Sequence, residues 1–182
     1  MFYPRRARYF AAFYIFNFLG IVSNALADAP TTPPLAMPSA TPASISIPLD
    51  VYKSETCSCC EKWISHLESE GFHATAHHPT DLNAEKIKRG IAPRFHSCHT
   101  AVSADGYVFE GHIPALVIQR FLTEKPQGAI GLAAPGMPMG SPGMGNHLDP
   151  YDVLLLKADG SSSVYTRINR IDQQYRGAHH GN

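Results

Sequence analysis

The sequence predicts an α/β fold, and three observations predict it. Strand-like and helix-like apolar patterns alternate from Leu49 to Ile91, Cys57 and Cys60 form a C-x-x-C pair where the first strand runs into the first helix, and an Asp105-Gly106 turn is followed by a proline-started helix. Together they give the order β-α-β-α-β-β-α of a thioredoxin-like domain, with an additional C-terminal hairpin.

Each element has its own warrant. Leu49 and Val51 alternate with Asp50 and Tyr52 in a first strand, after which Ser54 and Thr56 are suitable helix N-caps. Cys60, Trp63, Ile64 and Leu67 then recur on one helical face, with Glu61, Lys62, Ser65, Glu68 and Ser69 opposite and Gly71 as the stop. Phe72 to His77 reads as the second strand. Ala84, Ile87 and Ile91 mark a short second helix ending at Gly90. The segments Thr100 to Ala104 and Tyr107 to Gly111 flank Asp105-Gly106, the two-residue signal of a tight antiparallel hairpin. Pro114 opens a third helix with an apolar face of Val117, Ile118, Phe121 and Leu122, closed by Pro126. Residues 128–150, rich in Gly, Pro and Met, read as one long loop, and a last hairpin turns at Asp159-Gly160.

The chain outside these elements has a different character. Arg5, Arg6 and Arg8 precede an apolar run from Phe10 to Val22 and the small-residue site Ala25-Leu26-Ala27, the pattern of a secretory leader cleaved after Ala27. Residues 28–44 are almost wholly Ala, Pro, Thr and Ser and read as a disordered spacer, so the expected domain spans 45–170, with a polar tail over 171–182. An exported, periplasmic protein, soluble once the leader is removed, is the expectation. Lys plus Arg equal Asp plus Glu at 15 each, so no net field draws the chain to nucleic acid or to an anionic membrane surface.

Four cysteines carry the chemistry: Cys57, Cys59 and Cys60 at the first helix start, and Cys98 before the third strand. Helix N-terminal amides favour thiolates at Cys57 and Cys59, whereas Cys60 shares the buried face of Trp63. In a thioredoxin-like domain the loop before the third strand faces the C-x-x-C pair and normally carries a cis-proline; here that loop holds Cys98 and His99, so the fold predicts that all four sulfurs converge.

Three readings are open. An even cysteine count in an exported chain suits structural disulfides, although neighbours Cys59 and Cys60 cannot readily bridge and at most one useful bridge is expected. Four thiolates also suit Zn²⁺, against which C-x-C-C is cramped beside the usual C-x₂-C knuckle. Soft-metal binding is favoured by Met137, Met139, Met144 and His147, which put thioethers and an imidazole on a Gly/Pro-rich segment that no core requires. His99 and His112 flank the hairpin near the presumed site and are candidate further ligands. His77, His78, His96, His179 and His180 are weaker candidates. Copper(I), held by Cys57, Cys59, Cys60 and Cys98 and bridged into a small polynuclear cluster, is the leading reading, with copper redox interconversion as a further activity. The enzymatic rival is a thiol-disulfide oxidoreductase in which Cys57 attacks and Cys60 resolves.

The pattern resembles the CopG-type periplasmic copper-resistance proteins. The resemblance rests on Val51-Tyr52-Lys53-Ser54 leading into Cys57-Ser58-Cys59-Cys60, on Lys62-Trp63 and Gly71-Phe72, on Ser97-Cys98-His99-Thr100-Ala101, on Glu110-Gly111-His112-Ile113-Pro114-Ala115, on Gly131-Leu132-Ala133, and on the Pro135 to Met144 loop with Tyr151-Asp152-Val153. It covers most of Leu49 to Leu156. It implies an exported thioredoxin-like protein that binds copper through Cys57, Cys59, Cys60 and Cys98 and works beside components of a copper efflux system. Where family members often carry an acidic residue after the second loop methionine, this chain has Gly145.

Overall fold

The computed structural model describes residues 46–175. The leader, the spacer, His179 and His180 lie outside the described residues. Those described form β1 (Ile47–Lys53), α1 (Ser58–Ser69), β2 (Phe72–His77), α2 (Leu82–Lys88), β3 (His99–Ser103), β4 (Val108–Glu110), α3 (Ala115–Glu124), β5 (Ala129–Ala133), β6 (Tyr151–Lys157) and β7 (Ser162–Ile168), with short 3₁₀ turns at Pro93–Phe95 and Ile171–Gln173. The α/β class and the predicted order through α3 are observed. Seven strands make one mixed sheet in the order β2-β1-β3-β4-β5-β6-β7. The pairs β1/β2 and β4/β5 are parallel and the others antiparallel.

Five local readings need correction. The first concerns the start of α1, whose N-cap is Cys57 rather than Ser54 or Thr56, with no side-chain cap bond. Both hairpins close through three-residue loops: Ser103 N–H donates to Tyr107 O and Lys157 N–H to Ser161 O, with Gly106 and Gly160 in the left-handed region. Third, α2 is turned: Ile87 is 59% exposed, Ile91 is buried beyond the helix, and Lys86 is the side chain α2 sends inward. Fourth, residues 129–133 are not loop but β5, parallel to β4. Gly131 hid it, because a β-carbon there would sit 1.8 Å from Val108 O, so close strand pairing demands the residue that reads as a strand breaker. Finally, residues 171–175, expected to start a polar tail, pack into the domain: Gln174 is buried, donating to Gly140 O at 3.0 Å and accepting from the Tyr151 hydroxyl at 2.9 Å.

The core joins α1 and α3 to the sheet. Trp63, Ile64 and Leu67 from α1 and Val117, Ile118 and Phe121 from α3 pack with Leu49, Val51, Phe109 and Leu132. Trp63 Nε1 donates to Ile113 O at 2.8 Å, so the largest core side chain also keeps its polar atom paired.

The two helices are further joined by His66, whose Nε2 accepts from the Ala115 amide at 3.0 Å and satisfies one of the free donors at the start of α3. Burial holds its pKa down at about 4, with Glu70 acting in the opposite direction. Between that value and the ordinary histidine value of about 6.5, the unfolded chain binds a proton that the folded chain excludes. Stability should therefore be unaffected by His66 above about pH 6.5 and fall on acidification towards 4, by about 1–2 kcal/mol at pH 5. Urea unfolding of the parent and His66→Gln near pH 7 and pH 5 measures it; equal pH slopes in the two proteins would show that His66 is not the cause.

Candidate metal centre

The Cys motif sits where β1 hands the chain to α1. Lys53, the last residue of β1, is fully buried; its ammonium contacts Glu61 Oε1 at 2.5 Å and Ser54 O at 3.0 Å, tying the strand end to the first turn of the helix. Cys57 therefore becomes the N-cap, Cys59 lies in the first turn beside solvent, and Cys60 is buried against the core. The second half of the site comes from β3, which pairs antiparallel with β1 so that Lys53 lies opposite His99. That register delivers Cys98 to the cysteines of α1, and Cys60 Sγ lies 3.9 Å from Cys98 O across 38 positions of sequence.

The predicted convergence is observed: the four cysteine sulfurs lie within 4.8 Å of one another. Cys57 and Cys60 are joined as a disulfide, and Cys59 and Cys98 are free thiols. In this oxidised state Cys57 is not the thiolate anticipated from its place at the helix start, and the bridge closes the C-x-x-C pair itself rather than a long loop through Cys98. Cys59 Sγ is 3.5 Å from Cys57 Sγ, and because the bridged sulfur carries no hydrogen, the Cys59 thiol is the donor.

Cys98 is the junction of the site. Its sulfur lies 3.2 Å from His99 Nδ1 and 3.0 Å from His112 Nε2. Burial, reinforced by the neighbouring Cys59, pushes its pKa up to about 12, so the thiol stays protonated at neutral pH unless a metal displaces the hydrogen. His99 and His112 are fully buried, and burial lowers the pKa of each, further for His99, which faces His112 and Lys86. Both rings are therefore neutral, the form that ligates metals. His112 Nδ1 donates to Pro142 O at 2.7 Å, which leaves the Nε2 lone pair facing Cys98. His99 lies against Trp63, with ring centroids 4.1 Å apart.

Two features of this surround were not recognised from the sequence. One is a buried ion pair: Lys86 Nζ donates to Glu110 Oε1 and, at 2.7 Å, to Ser97 O, while Ser97 N–H donates to Glu110 Oε1 at 2.5 Å and the Thr100 hydroxyl donates to Glu110 Oε2. Both backbone polar groups of the residue before Cys98 are thus held by one charged pair. The signal was a charged residue within the β4 pattern, at Glu110. The other is the closure of the Met-containing loop over α1. A β-carbon on Gly143 would lie 2.7 Å from Cys59 O and 3.1 Å from Trp63 N, and the residue sits at φ +89°, so this contact admits glycine alone without rearrangement.

The remaining candidates divide. Met144 is half-buried next to Gly143, whereas Met137 and Met139 are 41% and 48% exposed. His147 is 85% exposed and pairs with Asp149 at 3.3 Å, outside both groups of ligand atoms around Cys98. His77 binds Asp50 and His96 binds Ile91 O, neither turned to the sulfurs. A shallow concavity lined by Ile47, Pro48, Ser103, Leu122 and Lys125 lies at the other end of β1.

Against known proteins, the family described as "Protein of unknown function, DUF411" matches residues 95–144, which include Cys98, His99, Glu110, His112 and the Met-containing loop. No curated protein matches. Two solved structures do. "Copper resistance protein copG- Form 1" is 40% identical, with 68% of this chain and 98% of that chain covered at a TM-score of 0.63. "Copper resistance protein copG- Form 2" is 40% identical, with 68% and 99% covered at 0.64. Near-complete coverage of both relatives at this identity makes this chain a member of the CopG-type copper-resistance protein family.

Proposed function

We propose that the protein binds copper(I) through Cys57, Cys59, Cys60 and Cys98 for sequestration, transfer or resistance. The observation that carries the reading is the gathering of four sulfurs within 4.8 Å from two distant segments. Two thiolates on one tetrahedral ion, with metal–sulfur bonds of about 2.3 Å, stand about 3.8 Å apart, so the sulfurs need little rearrangement once the bridge is opened. Opening it consumes two electrons and two protons from a reductant and yields two thiols; each copper(I) then displaces thiol protons as it binds. Sulfurs packed this closely suit bridging between ions, hence a small polynuclear cluster. Redox interconversion of copper and delivery to components of a copper efflux system are part of this reading. So are export to the periplasm and cleavage after Ala27, which N-terminal sequencing of the mature protein at Asp28 checks.

Protein reduced under anaerobic conditions should take up copper(I) in competition with a soft chelator, and diamide-treated protein should not form the thiolate cluster. Met137, Met139 and Met144 are assigned to receiving or capping the ion. Changing all three to Leu should leave thiolate capacity intact and slow copper transfer from a donor chelate; an unchanged rate removes the loop from the pathway.

The Cys57–Cys60 bridge favours a second reading, a thiol-disulfide oxidoreductase. Cys59 beside the pair opposes it, since a third thiol next to a redox couple scrambles it. Insulin reduction by metal-free protein with a thiol reductant separates the two. Fast turnover that needs Cys57 and Cys60 but neither Cys59 nor Cys98, with weak copper binding, would establish the oxidoreductase instead.

A further inference from the structure

Cys98 belongs to two groups of ligand atoms at once. With Cys57, Cys59 and Cys60 it makes the sulfur set, and with His99 and His112 it makes a mixed set whose three donor atoms also lie within 4.8 Å of one another. The two sets respond differently to oxidation. The Cys57–Cys60 bridge removes half of the sulfur set and leaves Cys98, His99 and His112 untouched.

The mixed set has three marks of a metal site. Two ring nitrogens converge on one sulfur, at 3.2 and 3.0 Å. His112 is held by the Pro142 carbonyl in the tautomer that presents Nε2 as a lone pair, the second-shell arrangement that orients ligating histidines. His99 is fully buried against Trp63, with ring centroids 4.1 Å apart, so its ring is held with Nδ1 on the sulfur before any ion arrives. With metal–sulfur and metal–nitrogen bonds of about 2.3 and 2.0 Å, sulfur and nitrogen on a shared ion stand about 3.5–3.7 Å apart, so the donors need to open by only about half an ångström. One thiolate with two imidazoles suits a borderline divalent ion such as Cu²⁺, Zn²⁺ or Co²⁺ better than it suits the soft monovalent ion.

We propose that Cys98, His99 and His112 form a second, sulfur–nitrogen site for a divalent transition-metal ion, available while Cys57 and Cys60 are bridged, so that Cys98 serves one ligand set in the reduced protein and another in the oxidised protein. The proposal rests on the copper(I) reading in one respect, the use of Cys98 by the sulfur set. It assigns the oxidised state a metal class of its own.

Cobalt(II) is the probe, because it does not oxidise the remaining thiols. Oxidised parent protein, its two free thiols verified, should bind about one Co²⁺ with intense thiolate-to-cobalt absorption in the near ultraviolet, and Zn²⁺ should displace it. Cys98→Ser and His112→Gln should abolish the band or weaken binding more than about 100-fold, a larger loss than removal of an orienting group causes, while Cys59→Ser keeps it. The proposal is overturned if oxidised parent shows no thiolate band, or if the band survives Cys98→Ser or vanishes in Cys59→Ser. Copper(I) titration of the reduced proteins runs alongside. His112→Gln that keeps copper(I) capacity is folded, which makes its cobalt result decisive, and if that variant does not fold, the parent and the two cysteine variants decide alone. Lost copper(I) capacity in reduced parent defeats the sulfur-set reading without touching the cobalt result.

Discussion

Cys98→Ser, reduced and titrated without oxygen, should lose copper(I) capacity to the same extent as Cys57→Ser, although the two residues lie on different segments of the chain. The equality follows from geometry. Each sulfur is within 4.8 Å of the other three, so in a bridged cluster each serves more than one ion and none is peripheral. Serine preserves the shape but substitutes a hard hydroxyl that neither bridges nor suits a soft d¹⁰ ion. Removing groups that merely orient a ligand costs about 10–100-fold in affinity, so removing a ligand should cost more than about 100-fold and lower the number of ions bound. Competition with a soft chelator reads affinity and stoichiometry together. Parent-like binding by Cys98→Ser would break the convergent site apart, leaving the three cysteines of α1 as a local motif.

The part of this site that could be read from the chain was the part expressed as a repeating pattern. Cys60, Trp63, Ile64 and Leu67 recur on one face of α1, and that face is buried as the spacing requires. The meeting of Cys98 with α1 could be read too, but only by way of the fold class, since no local spacing links positions 38 apart. What stayed hidden depends on single long-range contacts. Ile87 reads as the core side of a short helix, and the structure exposes it and buries Lys86 instead, because Glu110, on a strand that comes later in the chain, provides the buried countercharge. Gly143 and Pro142 look like interchangeable loop residues until α1 and His112 are brought against them. The Cys57–Cys60 bridge was one of several pairings the spacing permitted.

Lys86→Met should be the most destabilising single change near the site. It leaves the Glu110 carboxylate in the interior with only the Ser97 amide and the Thr100 hydroxyl to answer it, and it leaves Ser97 O without the donor it had at 2.7 Å. Breaking a buried pair from one side typically costs about 3–5 kcal/mol, because the partner's charge stays behind without compensation. In a domain of this size, that corresponds to a fall in thermal midpoint of about 10 °C or more. Glu110→Gln strands the ammonium instead and should be comparably severe. The double variant Lys86→Met/Glu110→Gln removes both charges and keeps an amide that Ser97 N–H can still bond, so it should be more stable than either single variant rather than the sum of their losses. Denaturant unfolding of the four proteins closes the cycle; additivity within about 0.5 kcal/mol would mean that the pair does not act as a unit. The recovery should not extend to the metal site. Met cannot donate to Ser97 O, and that carbonyl belongs to the residue immediately before Cys98, so the double variant should regain stability while its copper(I) affinity stays below the parent's. A double variant with full parental affinity would show that the ion pair stabilises the fold without positioning Cys98.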